Sequence, residues 1–262
     1  MASLTSDFEA TCKVSIIIPA LNEAAYLERT LRHLSLLQPP AHEVIVVDGG
    51  SRDETVAIAQ ALTKQPAPHF PLQVISSEQA GRAIQMNLGA AQASGDYLCF
   101  LHADTYVPDD LVSVIAQTLA DPGVSCGGFI SIMSGNLTTR WGVILNNYLK
   151  TYYAPLLFRP HLFFGKGLRL LFGDQVMFCR RADFQTCNGF DPAQPILEEA
   201  DLCLKLCRLG RIRQVNRVVQ ASDRRVAGWG PVKANAIYFM VGFLWGLGVP
   251  GERLKRFYED VR

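Results

Sequence analysis

The stretch Val14-Ser-Ile-Ile-Ile-Pro-Ala-Leu-Asn-Glu23 decides the fold. Its near-continuous apolar run lacks the polar alternation of a half-exposed strand, so it reads as a strand buried on both faces, with Pro19 closing it. Asn22 can cap a following helix, on which Leu27, Leu31 and Leu34 share a face. The pattern then repeats. Glu43-Val-Ile-Val-Val-Asp48 reads as a second strand, followed by Ser51-Arg-Asp-Glu54 with capping-box spacing and a helix carrying Val56, Ile58, Ala59 and Leu62. Leu72 to Ser76 reads as a third strand, Arg82 to Ala93 as a helix, and Tyr97-Leu-Cys-Phe-Leu101 as a fourth strand. Pro108 and the two aspartates after it open a helix with Leu111, Val114 and Ile115. Buried strands alternating with helices predict an α/β fold with a Rossmann-like, mostly parallel sheet flanked by helices. Ligands in such sheets sit beyond the carboxyl ends of the strands. That rule selects Pro19 to Glu23, Asp48 to Ser51 and His102 to Asp104.

Past residue 123 the pattern loosens. Short strands are expected near Val124 to Met133, then aromatic, Gly-rich and basic sequence from Trp141 to Phe172. Gly173-Asp-Gln-Val-Met-Phe-Cys179 suggests another strand entry, and Glu199 to Arg208 a helix ended by Gly210. Ala234 to Gly251 carries no charge over 18 residues, the lower limit for a bilayer span. Ile237, Val241 and Leu244 can form a helix face, and Gly242 and Gly246 have the spacing of close helix contacts. Packing on the domain or within a homodimer is the first reading. Shallow membrane attachment through Arg253, Lys255 and Arg256 is the second, and a span the third.

The 262 residues suit one large domain, alone or with an appended segment, and 49% hydrophobic with 19% charged residues excludes a disordered chain or a small disulfide scaffold. A net charge of +1 argues against nucleic-acid binding. The charge is uneven: Met1 to Ala120 holds 13 acidic and 6 basic residues, whereas Arg159 to Arg225 holds 12 basic and 7 acidic. This suits a phosphate-bearing ligand held near a cation, and equally two solvated surfaces. The seven cysteines include no C-x-x-C pair and several lie in apolar runs, which predicts buried free thiols in a reducing cytoplasm. Cys203 and Cys207 would share a helix face, but no neighbouring residues complete a zinc set. Asp7 and Glu9 argue against a signal peptide, so the expected location is cytoplasmic, with attachment at the inner face of the cell membrane left open.

No G-x-G-x-x-G follows strand one and no G-x-x-x-x-G-K-[ST] occurs anywhere, which removes the main support for a dehydrogenase or a P-loop enzyme. Asp48 at the end of strand two could accept hydrogen bonds from a base or ribose, or simply shape a strand-to-helix turn. His102-Ala-Asp104 could present two ligands to a divalent cation, or form a polar loop. Leu197-Glu-Glu-Ala-Asp201 offers a general base, while acids in a first helical turn also suit the helix dipole. Arg82, Arg224 and Arg225 could meet a pyrophosphate, or be solvated surface residues.

In order, Val14 to Glu23, Asp48-Gly-Gly-Ser-Arg-Asp-Glu-Thr55, Gly95-Asp-Tyr-Leu-Cys-Phe-Leu-His-Ala-Asp104, Gly189-Phe-Asp191 and Glu198 to Leu206 resemble the family-2 glycosyltransferases of the GT-A fold. The resemblance covers 13–215 and leaves 216–262 as a C-terminal helical extension. Gly173-Asp-Gln175 and Ser222 to Arg225 further resemble a small bacterial branch often associated with radical-SAM proteins.

The resemblance implies a UDP- or GDP-sugar donor, a hydroxyl acceptor, Mg²⁺ or Mn²⁺, and inversion by single displacement. Pro19, Ala20 and Glu23 would line the nucleoside pocket, Asp48 would hold base or ribose, and Arg82, Ala103, Arg224 and Arg225 would complete the nucleotide-sugar site. His102 and Asp104 stand where the family has its D-x-D metal motif. Glu199 would be the base, with Glu198 or Asp201 able to share the role, and Gly173, Asp174 and Gln175 would lie on the acceptor side. A nucleotidyltransferase and an inactive nucleotide-sugar-binding scaffold are the alternatives. The first is disfavoured because no Gly-rich basic loop follows strand one, the second because His102, Asp104 and the acids at 198–201 are present together.

Overall fold

The computed structural model describes residues 12–63, 70–135 and 138–257, so the N-terminal acids read above lie outside the described residues. Among the described residues eight strands form one sheet: β1 (Val14–Ala20), β2 (Glu43–Asp48), β3 (Leu72–Ser76), β4 (Tyr97–Phe100), β5 (Thr105–Tyr106), β6 (Val124–Ser134), β7 (Phe178–Arg180) and β8 (Arg211–Ser222). Their spatial order is β3-β2-β1-β4-β7-β6-β8-β5. The first four run parallel, β7 is antiparallel to both its neighbours, and β6 and β8 are parallel again.

Helices cover both faces, as the unbroken apolar strands require. Ile16 and Ile18 of β1 face one core with Leu27, Leu31 and Leu34 of α1 (Leu27–Leu34), Ala59 and Leu62 of α2 (Thr55–Thr63), and Leu111 and Ile115 of α4 (Leu111–Leu119). Ile17 faces the other core, with Met86 and Ala90 of α3 (Arg82–Gln92). Phe184 of α7 (Arg181–Thr186) and Leu202 and Leu206 of α8 (Glu198–Leu206) join this second core. Between β6 and β7 the chain forms α5 (Trp141–Phe158), which packs against β6, and α6 (Pro160–Lys166). The C-terminal segment folds as α9 (Arg224–Trp229), α10 (Pro231–Gly246) and α11 (Gly251–Leu254).

Four local expectations change. Asn22 does not cap α1, which begins at Leu27; with φ at 56°, its Oδ1 accepts the Arg52 N–H at 2.8 Å. Ser51 likewise caps no helix: its hydroxyl accepts the Asn22 N–H at 2.9 Å, and Asp53 takes the Thr55 N–H where α2 begins. The two loops beyond β1 and β2 are thus tied to each other. The short strands near residue 124 are one 11-residue strand, and β8, unread in the sequence, runs through residue 215.

The uncharged tail is interrupted after Gly246, and among the described residues no helix is long and apolar enough to cross a membrane. Instead α10 packs on α5. A side chain at Gly246 would collide with the Phe158 ring, so the small residue permits this close approach. Met133, Val143, Ile144, Val226, Ala234 and Tyr238 form a third, smaller core beneath the helical pair. The described cysteines are all free thiols; Cys99, Cys126, Cys179, Cys203 and Cys207 are buried, whereas Cys12 and Cys187 are partly exposed.

Candidate active site

The carboxyl ends of β1 and β4 open onto a cleft of about 380 Å³. Pro19, Ala20 and Glu23 line it from the β1 end, and His102 and Asp104 from the β4 end. Arg82 enters from the start of α3, and Glu198 and Glu199 from the first turn of α8. Gly173 and Asp174 sit in a 3-10 turn on the far wall, while Arg224 and Arg225 close the cleft from α9. Residues spread over more than 200 positions therefore meet in one place.

Two residues flanking this wall adopt left-handed backbone conformations that non-glycine residues rarely take. Leu197 has φ of 61° immediately before Glu198, and Val176, which is β-branched, has φ of 47° immediately after the 3-10 turn. Such strain tends to concentrate where a site requires a particular geometry. Gly173 is required for contact rather than for φ: a Cβ there would stand 2.5 Å from Glu199 Oε1 and 2.6 Å from His102 Cε1. The glycine lets the turn lie directly against both catalytic candidates.

Charge is unevenly compensated. Glu198 is 2% exposed and receives a hydrogen bond from Arg82 at 3.2 Å. Among the described residues Glu199 has no such bond at Oε1. Burial, reinforced by the neighbouring Glu198 charge, pushes its carboxyl up to about 8. His102 Nε2 is 4.0 Å from Glu199 Oε1 and also lacks a hydrogen-bond partner among the described residues. Burial first, then the nearby Arg82, Arg225 and Arg224, hold its imidazole well below the usual histidine range, so it is neutral near pH 7.

His102 and Asp104 fit a divalent cation in one specific sense. Among the described residues no group of three or more His, Cys, Asp or Glu could hold a metal unaided. Mg²⁺ and its analogues, however, commonly take only one or two protein ligands and complete their shell with substrate phosphates and water. A neutral imidazole with an orphaned nitrogen beside a buried carboxylate suits that arrangement.

Several expected residues stand differently from their sequence reading. Arg224 bridges two acids: it donates to both Glu23 oxygens at 2.6 and 2.9 Å, and its Nε lies 3.3 Å from Asp104 Oδ2. Asp48 is 5% exposed, does not line the cleft, and accepts the N–H groups of Gly50 and Ser51. Ala103 is buried, its carbonyl taken by the Thr30 hydroxyl. Gln175 braces the 3-10 turn, accepting from Phe172 N–H and donating to the Thr151 hydroxyl. Asp201 pairs with Lys205 at 3.0 Å, outside the cleft. The i,i+4 Asp–Lys spacing already signalled that pairing.

Gln85 and Lys150 are among the lining residues not singled out from sequence. Gln85 donates through Nε2 to the carbonyls of Ala20 and Val47, joining the ends of β1 and β2. Lys150 of α5, 7% exposed, borders the cleft beside Phe172 and Tyr238.

A family model described as Glycosyl transferase family 2 matches residues 15–183. Glycosyltransferase AglE of Haloferax volcanii is 33% identical to the chain, over 88% of this chain and 81% of that protein. The undecaprenyl-phosphate 4-deoxy-4-formamido-L-arabinose transferase of Yersinia enterocolitica is 36% identical over 43% of this chain, which spans 36% of that protein's length. Glucosyl-3-phosphoglycerate synthase from Mycobacterium tuberculosis, solved with Mn²⁺, UDP and phosphoglyceric acid, shares the fold. Its TM-score is 0.64 at 21% identity, covering 95% of this chain and 84% of that one.

Proposed function

The chain belongs to glycosyl transferase family 2, and from that premise we propose that it transfers a sugar from a UDP- or GDP-sugar to a hydroxyl acceptor, by single displacement with inversion. The observation that carries this reading is the meeting of His102 and Asp104 with Glu198 and Glu199 in one cleft, where His102 Nε2 and Glu199 Oε1 are buried without hydrogen-bond partners.

Bound at His102 and Asp104, Mg²⁺ or Mn²⁺ would supply positive charge against the diphosphate. Pro19 and Ala20 provide the wall for the nucleoside, and Arg224 fixes the Glu23 carboxylate beside it. Arg82 faces the cleft as a phosphate-binding guanidinium while orienting Glu198. Glu199 takes the proton of the acceptor hydroxyl as that oxygen bonds to the anomeric carbon. The bond from this carbon to the diphosphate oxygen breaks on the opposite face. A carboxyl pushed up to about 8 is a stronger base than a surface carboxylate, which suits a hydroxyl substrate.

By this reading residues 13–215 form the catalytic unit and the extension from 216 contributes α9 to it. Exposed apolar side chains on α5 and α10, including Leu145, Leu149, Phe239 and Phe243, support contact of the helical pair with a membrane surface or a second copy. Vesicle co-sedimentation and light scattering test these two contacts, and a monomer that stays in the supernatant rejects both.

The function is tested by incubating the chain with UDP- and GDP-sugars and Mn²⁺ or Mg²⁺, following release of nucleoside diphosphate. Transfer or hydrolysis that disappears in Glu199→Ala supports the assignment. Turnover that is unchanged by this substitution rejects it.

A further inference from the structure

The wall of the cleft beyond Gly173 contains a cation that the proposed transfer does not use. Lys150 lies on α5, more than nine-tenths buried, in the wedge between that helix, the 3-10 turn and α10. Its Nζ stands 3.8 Å from the centre of the Phe172 ring and 5.6 Å from that of Tyr238. Among the described residues it forms no hydrogen bond or ion pair. Asp174 is the acid whose charge reaches it, but the Asp174 Oδ2 atom receives the Asn147 amide at 3.3 Å, and burial outweighs its attraction. One turn before Lys150, Asn147 is 4% exposed and its Oδ1 is buried without a partner. Both side chains line the cleft.

A buried ammonium between two aromatic faces retains three donors that need acceptors. The unpartnered amide oxygen beside it needs a donor. A ligand combining an oxyanion with a hydroxyl would satisfy both. The direction from Lys150 to the base is also defined: Phe172 lies under the ammonium and Gly173, the next residue, lies against Glu199 and His102. Lys150 and Glu199 line the same cleft on either side of this turn, so one bound molecule can meet both.

We propose that Lys150 and Asn147 form an acceptor subsite for an anionic group, so that the acceptor is a small hydroxylated carboxylate or phosphate whose reacting hydroxyl lies at Glu199. This rests on the transferase reading and specifies its acceptor class.

The experiment titrates the full chain with three probes that differ in one group: glycerol, glyceric acid and glycerol 3-phosphate. Binding is read by calorimetry or thermal shift at pH 7. At least one anion should bind tenfold or more tightly than glycerol, and which one responds distinguishes a carboxylate from a phosphate. Lys150→Met and Lys150→Gln should each remove that advantage, with their own melting temperatures reporting that they are folded. If the anions bind no better than glycerol, or if folded variants retain the preference, the subsite is rejected. Nucleoside diphosphate and Mn²⁺ titrated into the wild type report on the donor site separately, so failure of the transferase reading is distinguished from failure of this one.

Discussion

His102 Nε2 and Glu199 Oε1 face each other at 4.0 Å, both buried and neither holding a hydrogen bond among the described residues. They do not form an ion pair, because burial keeps the imidazole neutral and the carboxyl up near 8. At pH 7 the facing groups are thus a neutral imidazole that can take a cation and a largely protonated acid that must lose its proton before it can accept one from a hydroxyl.

Glu199→Ala should lower transfer by about 10²- to 10⁴-fold, the usual contribution of a positioned base. Nucleoside-diphosphate affinity, measured by calorimetry, should change only a few-fold. A rate within tenfold of the wild type would exclude Glu199 as the base.

Cation binding should release protons. A divalent ion near Glu199 favours its ionised form and lowers its pKa from about 8, so at pH 7 up to about one proton leaves. His102 is already neutral and contributes none. Calorimetry with Mn²⁺ in two buffers of different ionisation heat should detect the release in the wild type and lose it in Glu199→Gln. Equal release in both proteins would place its source elsewhere. Asp104→Ala should weaken Mn²⁺ binding at least tenfold.

Gly173→Ala should impair turnover without unfolding the chain. The added methyl would displace the Glu199 carboxyl and the His102 ring together. The expected outcome is a loss of ten- to a hundredfold in turnover, consistent with small misplacements at reacting groups, with a melting temperature within a few degrees. Unchanged turnover would show that the turn has room to retreat.

Lys150 should cost stability near neutral pH. Its pKa falls from 10.5 to about 8, chiefly through burial. The unfolded chain therefore binds more protons between those values, and stability rises with pH across that window. Below pH 8 the cost is on the order of 3 kcal/mol. Lys150→Met should be more stable than the wild type at pH 7, and the difference should shrink towards pH 10. Denaturant midpoints at the two pH values check this, and a variant less stable at pH 7 contradicts it.

The sheet's parallel half was legible because Ile16, Ile17 and Ile18 all need burial, which only helices on both faces provide. The strand-end rule then located Glu23, His102 and Asp104. Lys150 and Gln85 were not legible, because their roles come from what packs beside them: two aromatic rings for one, two strand-end carbonyls for the other. Strand β8 was hidden because half of it is exposed, with Arg211, Asn216 and Arg217 facing water. The family was legible from five ordered motifs, whereas the narrower radical-SAM-associated branch finds no support in the relatives described above.

Arg224 joins Glu23 to Asp104 across 201 positions of chain. A tail exchanged between related enzymes would therefore carry part of the donor site's electrostatics with it. Grafts ending at residue 215 would leave the partly buried Glu23 and the buried Asp104 without their shared counter-charge. Chimaeras that retain a matched Glu23 and Arg224 should be the ones that fold with an intact cleft.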